Sequence, residues 1–284
     1  MLTDTHAHLD FPDFAGELPA LLARATEAGV NRIVTIGTTL EGSKRAIALA
    51  EAHPQVFATV GIHPSNADDA PEDAIAALRP LAQHPRVVGL GECGLDYHRL
   101  PSARMHEEAV AAVALGNETA ADLNAAILDG ATKAKQAVVF QQQLELAAEL
   151  RLPVVIHERD AWEDTLALLA PFAGKARAVF HCFGKSFAHA EEVLALGHVV
   201  SFTGIVTFKN AQIVQEAAAR LPSGSFMVET DCPYLAPVPY RGKRCEPAHV
   251  RNTAAHLAQL RGISLEQIAA ETTATADHFF RFTH

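Results

Sequence analysis

Eight short apolar segments, each followed by a stretch of helical periodicity, constrain the fold more than any other feature of this sequence. The predicted strands cover residues 2–9, 31–37, 57–63, 87–92, 153–157, 177–181, 198–202 and 226–231. They are nearly continuously apolar and β-branched, which is typical of parallel strands covered by helices. About eight such units in 284 residues predict a single (β/α)8 barrel of the TIM type spanning 1–284. A doubly wound sheet is the alternative, because periodicity does not show closure; the absence of a G-x-G-x-x-G after the first strand and of a P-loop weakens its nucleotide-binding versions.

The interval between strands four and five breaks this alternation, because it is several times longer than an ordinary connection. Helical patterns cover 105–115, 120–128 and 133–150, separated by Gly116-Asn117 and Asp129-Gly130. We interpret 133–150 as a barrel helix and 105–130 as an inserted helical hairpin on the face where barrels carry their sites. The hairpin either edges the site and favours a flexible single-stranded end, or packs outside it. Residues 247–284 predict C-terminal helices.

Composition limits the setting and the partners of the protein. A formal charge of −10 argues against a broad basic surface for duplex DNA, so a polyanion must meet a local positive site. The four cysteines have no CxxC spacing, and the N-terminus has no signal-peptide pattern. No apolar run reaches the length of a membrane span. We therefore expect a cytoplasmic protein without a membrane partner.

Metal-ligand residues end most of the predicted strands. His6 and His8 lie on one face of the first strand, since side chains alternate with a period of two. The C-terminal ends of barrel strands converge on one rim, and this brings together His6, His8, Glu92, His157, His181 and Asp231. Imidazoles and carboxylates suit Zn²⁺, Mn²⁺, Ni²⁺ or Fe²⁺, and carboxylates also suit Mg²⁺. Six residues exceed the three protein ligands of one catalytic zinc, so we expect two divalent ions bridged by Glu92.

The chain resembles the TatD-type metal-dependent hydrolases, the TatD DNases. The resemblance is carried by these segments: Asp4-Thr5-His6-Ala7-His8-Leu9, Gly61-Ile62-His63-Pro64, Gly91-Glu92-Cys93-Gly94-Leu95-Asp96-Tyr97, Pro153-Val154-Val155-Ile156-His157, His181-Cys182-Phe183, Glu229-Thr230-Asp231-Cys232-Pro233-Tyr234-Leu235 and Tyr240-Arg241-Gly242-Lys243-Arg244. It implies a barrel hydrolase that holds its metal centre on the same six residues and cleaves phosphodiester bonds in DNA. The chain departs from the family in Cys245 where Asn is usual, in Gly184-Lys185 after Phe183, and in the long segment after Tyr97.

The expected mechanism is hydrolysis by metal-activated water, with Asp231 and Glu92 as the catalytic residues. Asp231 holds a metal and accepts the proton of the attacking water. Glu229 lies one layer deeper and either binds the metal or orients a histidine.

The expected substrate contacts are His63, Arg159, Arg241, Lys243 and Arg244. For each, the alternative is an ordinary structural one: a hydrogen bond for His63, an ion pair for Arg159 and a solvated charged turn for the others. The substrate we expect is DNA, as single strands or frayed ends.

Three other functions remain open. The same metal centre allows an aminoacyl-tRNA deacylase or an amidohydrolase, although many amidohydrolases bridge their metals with a modified lysine where Glu92 stands here. A non-catalytic nucleic-acid-binding protein has no need of an open metal–water position.

Cys93, Cys182 and Cys232 each follow a predicted ligand and should point toward the helix layer, as apolar filler.

Overall fold

Eight parallel strands form one sheet in the order of the chain, which confirms the predicted barrel. The computed structural model describes residues 1–103 and 119–282. The strands are β1 Leu2–Ala7, β2 Val30–Ile36, β3 Val56–Val60, β4 Val87–Asp96, β5 Val154–Arg159, β6 Ala178–Phe180, β7 Val199–Phe202 and β8 Phe226–Val228. The helices are α1 Leu18–Glu27, α2 Leu40–Ala52, α3 Ala74–Ala82, α4 Thr119–Leu150, α5 Trp162–Leu169, α6 Phe187–Ala195, α7 Gln212–Arg220, α8 Val250–Arg261 and α9 Leu265–Phe280.

The barrel closes between β1 and the segment that follows β8. Ala7 and Cys232 form a parallel bridge. The N–H of Asp231 donates to the carbonyl of His6 at 2.9 Å, and the N–H of His8 donates to the carbonyl of Cys232 at 2.9 Å. The closure is therefore made next to three of the residues that sequence analysis selects as metal ligands.

The barrel interior is built in two levels. A buried cluster below the rim contains Val155, Val179 and Met227 together with Phe279 and Phe280 of α9. Two residues farther along each of the same chain segments stand His157, His181 and Glu229. Since side chains two apart on a strand share a face, an apolar layer supports a polar layer at the C-terminal rim.

One long helix covers residues 119–150, where two separate helices were expected. Helix α4 runs without a break from Thr119 to Leu150, so the predicted separation at Asp129-Gly130 is wrong. Relative to alanine, a single glycine destabilises a helix by about 1 kcal/mol. The hydrogen-bonded turns on either side of Gly130 stabilise the helix enough for it to continue. The Asp129 carboxylate accepts the N–H of Ser102 at 2.8 Å instead of ending the helix. The first predicted helix of the hairpin, at 105–115, lies outside the described residues.

None of the helices in the described part of the chain is both long enough and apolar enough to cross a membrane.

Candidate metal centre

The carboxylate of Glu92, near the middle of β4, stands between two groups of imidazoles. Its Oε2 atom faces β1, at 3.5 Å from His6 Nε2 and 3.9 Å from His8 Nε2. Its Oε1 atom faces the opposite side, at 2.8 Å from His157 Nδ1 and 2.7 Å from His181 Nε2. The structure thus brings predicted ligands together around one carboxylate. His6 and His8 lie beside one of its oxygens, and His157 and His181 lie beside the other.

The group on the Oε2 side has the spacing of a metal site. His6 Nε2 and His8 Nε2 are 3.4 Å apart, and Asp231 Oδ1 lies 3.6 and 3.3 Å from them. A tetrahedral ion with bonds of about 2.0–2.1 Å separates its ligand atoms by about 3.4 Å. The three ligand atoms of His6, His8 and Asp231 have the mutual spacing that such an ion requires.

The imidazoles on the Oε1 side lie closer to the Glu92 carboxylate than those on the Oε2 side. His157 Nδ1 and His181 Nε2 are 3.4 Å apart, and both approach the same carboxylate oxygen. His63 Nε2 lies 3.5 Å from that oxygen. Residues of both groups belong to the clusters able to hold a cation, His6–Glu92–His181, His6–His8–Asp231 and His63–Glu92–His157.

Neighbouring imidazoles keep the central carboxylates ionised. Burial alone would raise the pKa of Glu92, yet the surrounding histidines, His181 foremost, hold it well below its ordinary value. Burial would likewise raise the pKa of Asp231, but the hydrogen bond from His8 and the neighbouring imidazolium charges lower it. Burial would lower the pKa of His181, and Glu92 and Glu229 instead raise it well above its usual value. Ionised carboxylates among imidazoles are the types of donor that bind divalent cations.

Glu229 lies beside a ligand histidine, the position expected for one of the two roles predicted for it. Its Oε1 lies 3.3 Å from His181 Nδ1 and accepts the N–H of Cys182 at 2.6 Å. His181 therefore presents Nε2 to Glu92 while its other nitrogen faces a buried carboxylate. This pairing of a carboxylate with the far nitrogen is how proteins fix the orientation of ligating histidines.

Asp96 does the same for His157, and sequence analysis missed it. Its Oδ2 lies 3.3 Å from His157 Nε2, while its Oδ1 accepts the N–H groups of His98 and Arg99. The predicted fourth strand ended at Glu92, whereas β4 continues to Asp96. Had the strand been extended, the period of two would have placed Asp96 on the face of Glu92.

The close contact of β4 with β5 explains a glycine beside this pair. Gly94 has φ of +140° and pairs with His157 in the sheet register. A Cβ at this position would clash with the carbonyl oxygen of His157. Glycine is required here because no other residue tolerates both the backbone angle and the approach.

Two buried glutamines of α4 hold the loops that carry site residues. Gln136 accepts the N–H of Asp96 at 2.9 Å and donates to its carbonyl at 3.1 Å. Gln143, seven residues later on the same helix, accepts the N–H of Ile62 at 2.8 Å and donates to its carbonyl at 3.0 Å. Helix α4 thereby fixes both Asp96 and the backbone next to His63. Their partners are distant backbone groups, so no sequence signal marks them.

A second aspartate anchors the segment that carries Asp231. Asp4 Oδ1 accepts the N–H of Thr230 at 2.9 Å, and Oδ2 accepts its hydroxyl at 2.7 Å. Burial raises the pKa of Asp4 to about 8, against the hydrogen bonds that favour its charged form.

His63 can donate a hydrogen bond through its Nε2 atom. Its Nδ1 accepts the N–H of Ser65 at 3.1 Å, so the neutral ring carries its proton on Nε2, the atom that faces Glu92. A protonated Nε2 can donate to a carboxylate or to a substrate oxygen, which agrees with the substrate contact expected from the sequence.

The predicted cationic contacts have different surroundings. Arg159, Arg241 and Lys243 are exposed. The Arg241 guanidinium lies over the ring of Phe208, 4.3 Å from its centre. Arg244 instead donates to Glu17 at 2.8 Å and to the carbonyl of Asp13. The Arg244 guanidinium therefore contacts the segment that precedes α1, and its role as a substrate contact stays a prediction.

The cysteines are outside the ligand set. Across residues 1–103 and 119–282, the candidate cation sites contain histidine, glutamate and aspartate and no cysteine. Cys93, Cys232 and Cys245 are buried, while the sulfur of Cys182 lies 3.6 Å from the hydroxyl of Thr203. Burial raises the pKa of the Cys182 thiol to about 12, so it stays protonated.

The model of one protein family, the TatD-related DNases, matches residues 3–281. The chain belongs to this family. It is a metal-dependent hydrolase, as the sequence predicts, and the histidine, glutamate and aspartate groups around Glu92 have the spacing that could hold a metal ion.

Known proteins resemble this TatD-family chain over nearly its whole length. It is 36% identical to a Bacillus subtilis protein named "uncharacterized metal-dependent hydrolase YabD", over 99% of each chain. It is 34% identical to the "3'-5' ssDNA/RNA exonuclease TatD" of Enterobacter lignolyticus, over 95% of each. The solved structure of an Escherichia coli TatD homologue, YJJV, superposes with a TM-score of 0.83 at 27% identity, covering 99% of this chain and 98% of the other.

Proposed function

We propose that this protein is a nuclease that hydrolyses phosphodiester bonds at single-stranded DNA ends, using two divalent ions that share Glu92. The observation that carries the proposal is the position of that carboxylate. Oε2 faces His6 and His8, and Oε1 faces His157 and His181. A divalent ion bound there would acidify water and draw negative charge from a phosphate oxygen.

Asp231 is suited to take the proton of the attacking water. Its side chain is 15% exposed, against 4% for Glu92, so it faces the opening of the site. Its lowered pKa keeps it ionised and able to accept a hydrogen bond near neutral pH. Glu92 serves as the shared ligand, and the N–H of His63 Nε2 supplies a donor for a substrate oxygen.

The rim supplies positive charge that the chain as a whole lacks. Arg159, at the end of β5, and Arg241 and Lys243, on the segment that follows β8, are exposed. A guanidinium matches two phosphate oxygens, whereas an ammonium contributes a point charge. These three side chains are our candidates for the contacts with the nucleic-acid backbone.

The single-stranded substrate is favoured by the name of a relative, the exonuclease acting on single-stranded DNA and RNA. A formal charge of −10 also favours a single-stranded substrate, because a chain of this composition does not supply the broad cationic surface that a duplex requires.

The test is hydrolysis of end-labelled single strands by the metal-loaded enzyme, with and without chelator. We expect turnover that chelation removes, and we expect Asp231→Asn to lose about 100-fold or more of it while retaining its fold. His198→Asn is the matched control, because it changes a buried histidine outside the ligand set and should keep its activity.

Two results would overturn the proposal. One is near-native turnover by folded Asp231→Asn. The other is an enzyme that ignores all phosphodiesters but cleaves an aminoacyl ester or an amide, which would assign the same centre to one of the alternative hydrolases.

A further inference from the structure

Two aromatic side chains extend the metal centre toward solvent. The ring of Phe11 stacks on the imidazole of His8, with centres 4.6 Å apart and planes at 21°. Tyr234 meets Phe11 edge-on, with centres 6.2 Å apart and planes at 80°. Phe11 is half-buried, and Tyr234 is 54% exposed. A continuous aromatic surface therefore leads from a candidate ligand to the outside.

Both aromatics are fixed to ligand residues in the same way. The N–H of Phe11 donates to the carbonyl of His8 at 3.2 Å, and the N–H of Tyr234 donates to the carbonyl of Asp231 at 3.0 Å. Each aromatic thus ends a tight turn that begins at a candidate ligand. Because these turns are held in place, binding a flat partner here costs little ordering of the protein.

A cation is paired with the residue that precedes Phe11. Arg45 donates to Asp10 at 3.1 and 2.9 Å through two of its nitrogens, and Asp10 directly precedes Phe11. The Arg45 side chain is 57% exposed, so part of its guanidinium stays open to solvent. Aromatic faces next to cations are the arrangement by which proteins bind single-stranded nucleic acid, with bases on the rings and phosphates on the charges.

We propose that Phe11 and Tyr234 form a stacking site for the nucleobase adjoining the scissile phosphate, and that Arg45 contacts a neighbouring phosphate. The proposal rests on the phosphodiesterase function proposed above and adds its recognition element. A nucleobase is the occupant we favour over a protein side chain because the surface is continuous with the residues that would receive the phosphate. A base in a duplex is already stacked on its neighbours, so the site selects single-stranded ends.

The test uses two labelled single strands that differ at one nucleotide. At the attacked end, one strand carries thymine and the other carries an abasic tetrahydrofuran. A stacked base is worth about 10-fold or more in binding, so wild-type enzyme should show a KM about 10-fold lower for the thymine strand. In Tyr234→Ala and in Phe11→Leu this ratio should approach one, and in Tyr234→Trp it should persist.

A control variant separates stacking from general damage. Tyr240 is another exposed tyrosine of the same segment, but its ring stacks on His249 at 4.1 Å. Tyr240→Ala should keep the wild-type ratio between the two strands. A Tyr234→Ala ratio equal to wild type, or a wild-type enzyme indifferent to the missing base, would overturn the stacking site.

The stacking site and the proposed function can fail separately. If both strands are hydrolysed at equal KM, the nuclease function stands and the stacking site is wrong. If neither strand is hydrolysed, the nuclease function is wrong, and fluorescence anisotropy of the two strands bound to wild type and Tyr234→Ala decides the stacking site. Tighter binding of the thymine strand by wild type alone supports it, and equal binding by both proteins refutes it.

Discussion

Replacing Asp96 with asparagine tests whether the carboxylate behind His157 tunes the metal centre. Asn keeps the size of the side chain and an oxygen for the N–H groups of His98 and Arg99. It removes the negative charge 3.3 Å from His157 Nε2. An amide can also donate toward that nitrogen, which would favour the tautomer that carries its proton on Nδ1, the atom that faces Glu92.

The structure gives the size of the expected effect. Burial opposes ionisation of Asp96, yet the hydrogen bond and charge of His157, with the Arg99 N–H, lower its pKa to about 2 from 3.8. A lowering of that size corresponds to roughly 2 kcal/mol. The carboxylate therefore interacts strongly with the ring of His157. Changes to the partners of ligating histidines cost about 10- to 100-fold in metal affinity, so we expect a loss of about 10-fold or more in Asp96→Asn.

The assay is calorimetric titration of metal-free protein with Zn²⁺, alongside the thermal midpoint. Asp160→Asn is the matched control, since Asp160 also pairs with a histidine, His98, at 2.9 Å, but both side chains are exposed. We expect weaker binding in Asp96→Asn and wild-type affinity in Asp160→Asn. Wild-type metal affinity in folded Asp96→Asn would refute the role assigned to the carboxylate.

Two further predictions concern stability. Gln143→Met leaves the buried N–H and carbonyl of Ile62 unpaired, so the free energy of unfolding in urea should fall by about 2–5 kcal/mol. The control Gln141→Met, on the exposed face of α4, should change it little. A loss below about 0.5 kcal/mol in Gln143→Met would contradict this. Burial lowers the pKa of His198 to about 4 from 6.5. As pH falls, this histidine is therefore protonated in the unfolded chain before it is protonated in the folded protein. The free energy of unfolding should decrease by up to roughly 3 kcal/mol between pH 6.5 and pH 4. His198→Asn can still accept the Ala178 N–H and should lose less stability than wild type between pH 7 and 4.5, and equal losses would refute the assignment.

The strands could be predicted because parallel strands are covered on both sides and leave apolar runs in the sequence. Their ends, and therefore His6, His157 and His181, follow from those runs. Closure of the sheet is invisible to periodicity, since the hydrogen bonds from Asp231 to His6 and from His8 to Cys232 join residues more than two hundred positions apart.

The supporting residues could not be predicted for a different reason. The apolar run of β4 ends at Glu92 and Gly94 follows it, so the extension of the strand to Asp96 was missed. Gln136 and Gln143 recognise backbone atoms, which carry no residue-specific signal. The break expected at Gly130 was wrong because a single glycine is too weak to end a long helix.

The most direct test of the account is the rate of single-strand hydrolysis while Mn²⁺ is added stepwise to metal-free enzyme. If two ions share Glu92 between the His6–His8 side and the His157–His181 side, the rate rises until two equivalents are bound and then stays level. Full activity at one equivalent would contradict the shared centre, and activity undiminished by chelator would contradict metal-dependent hydrolysis altogether.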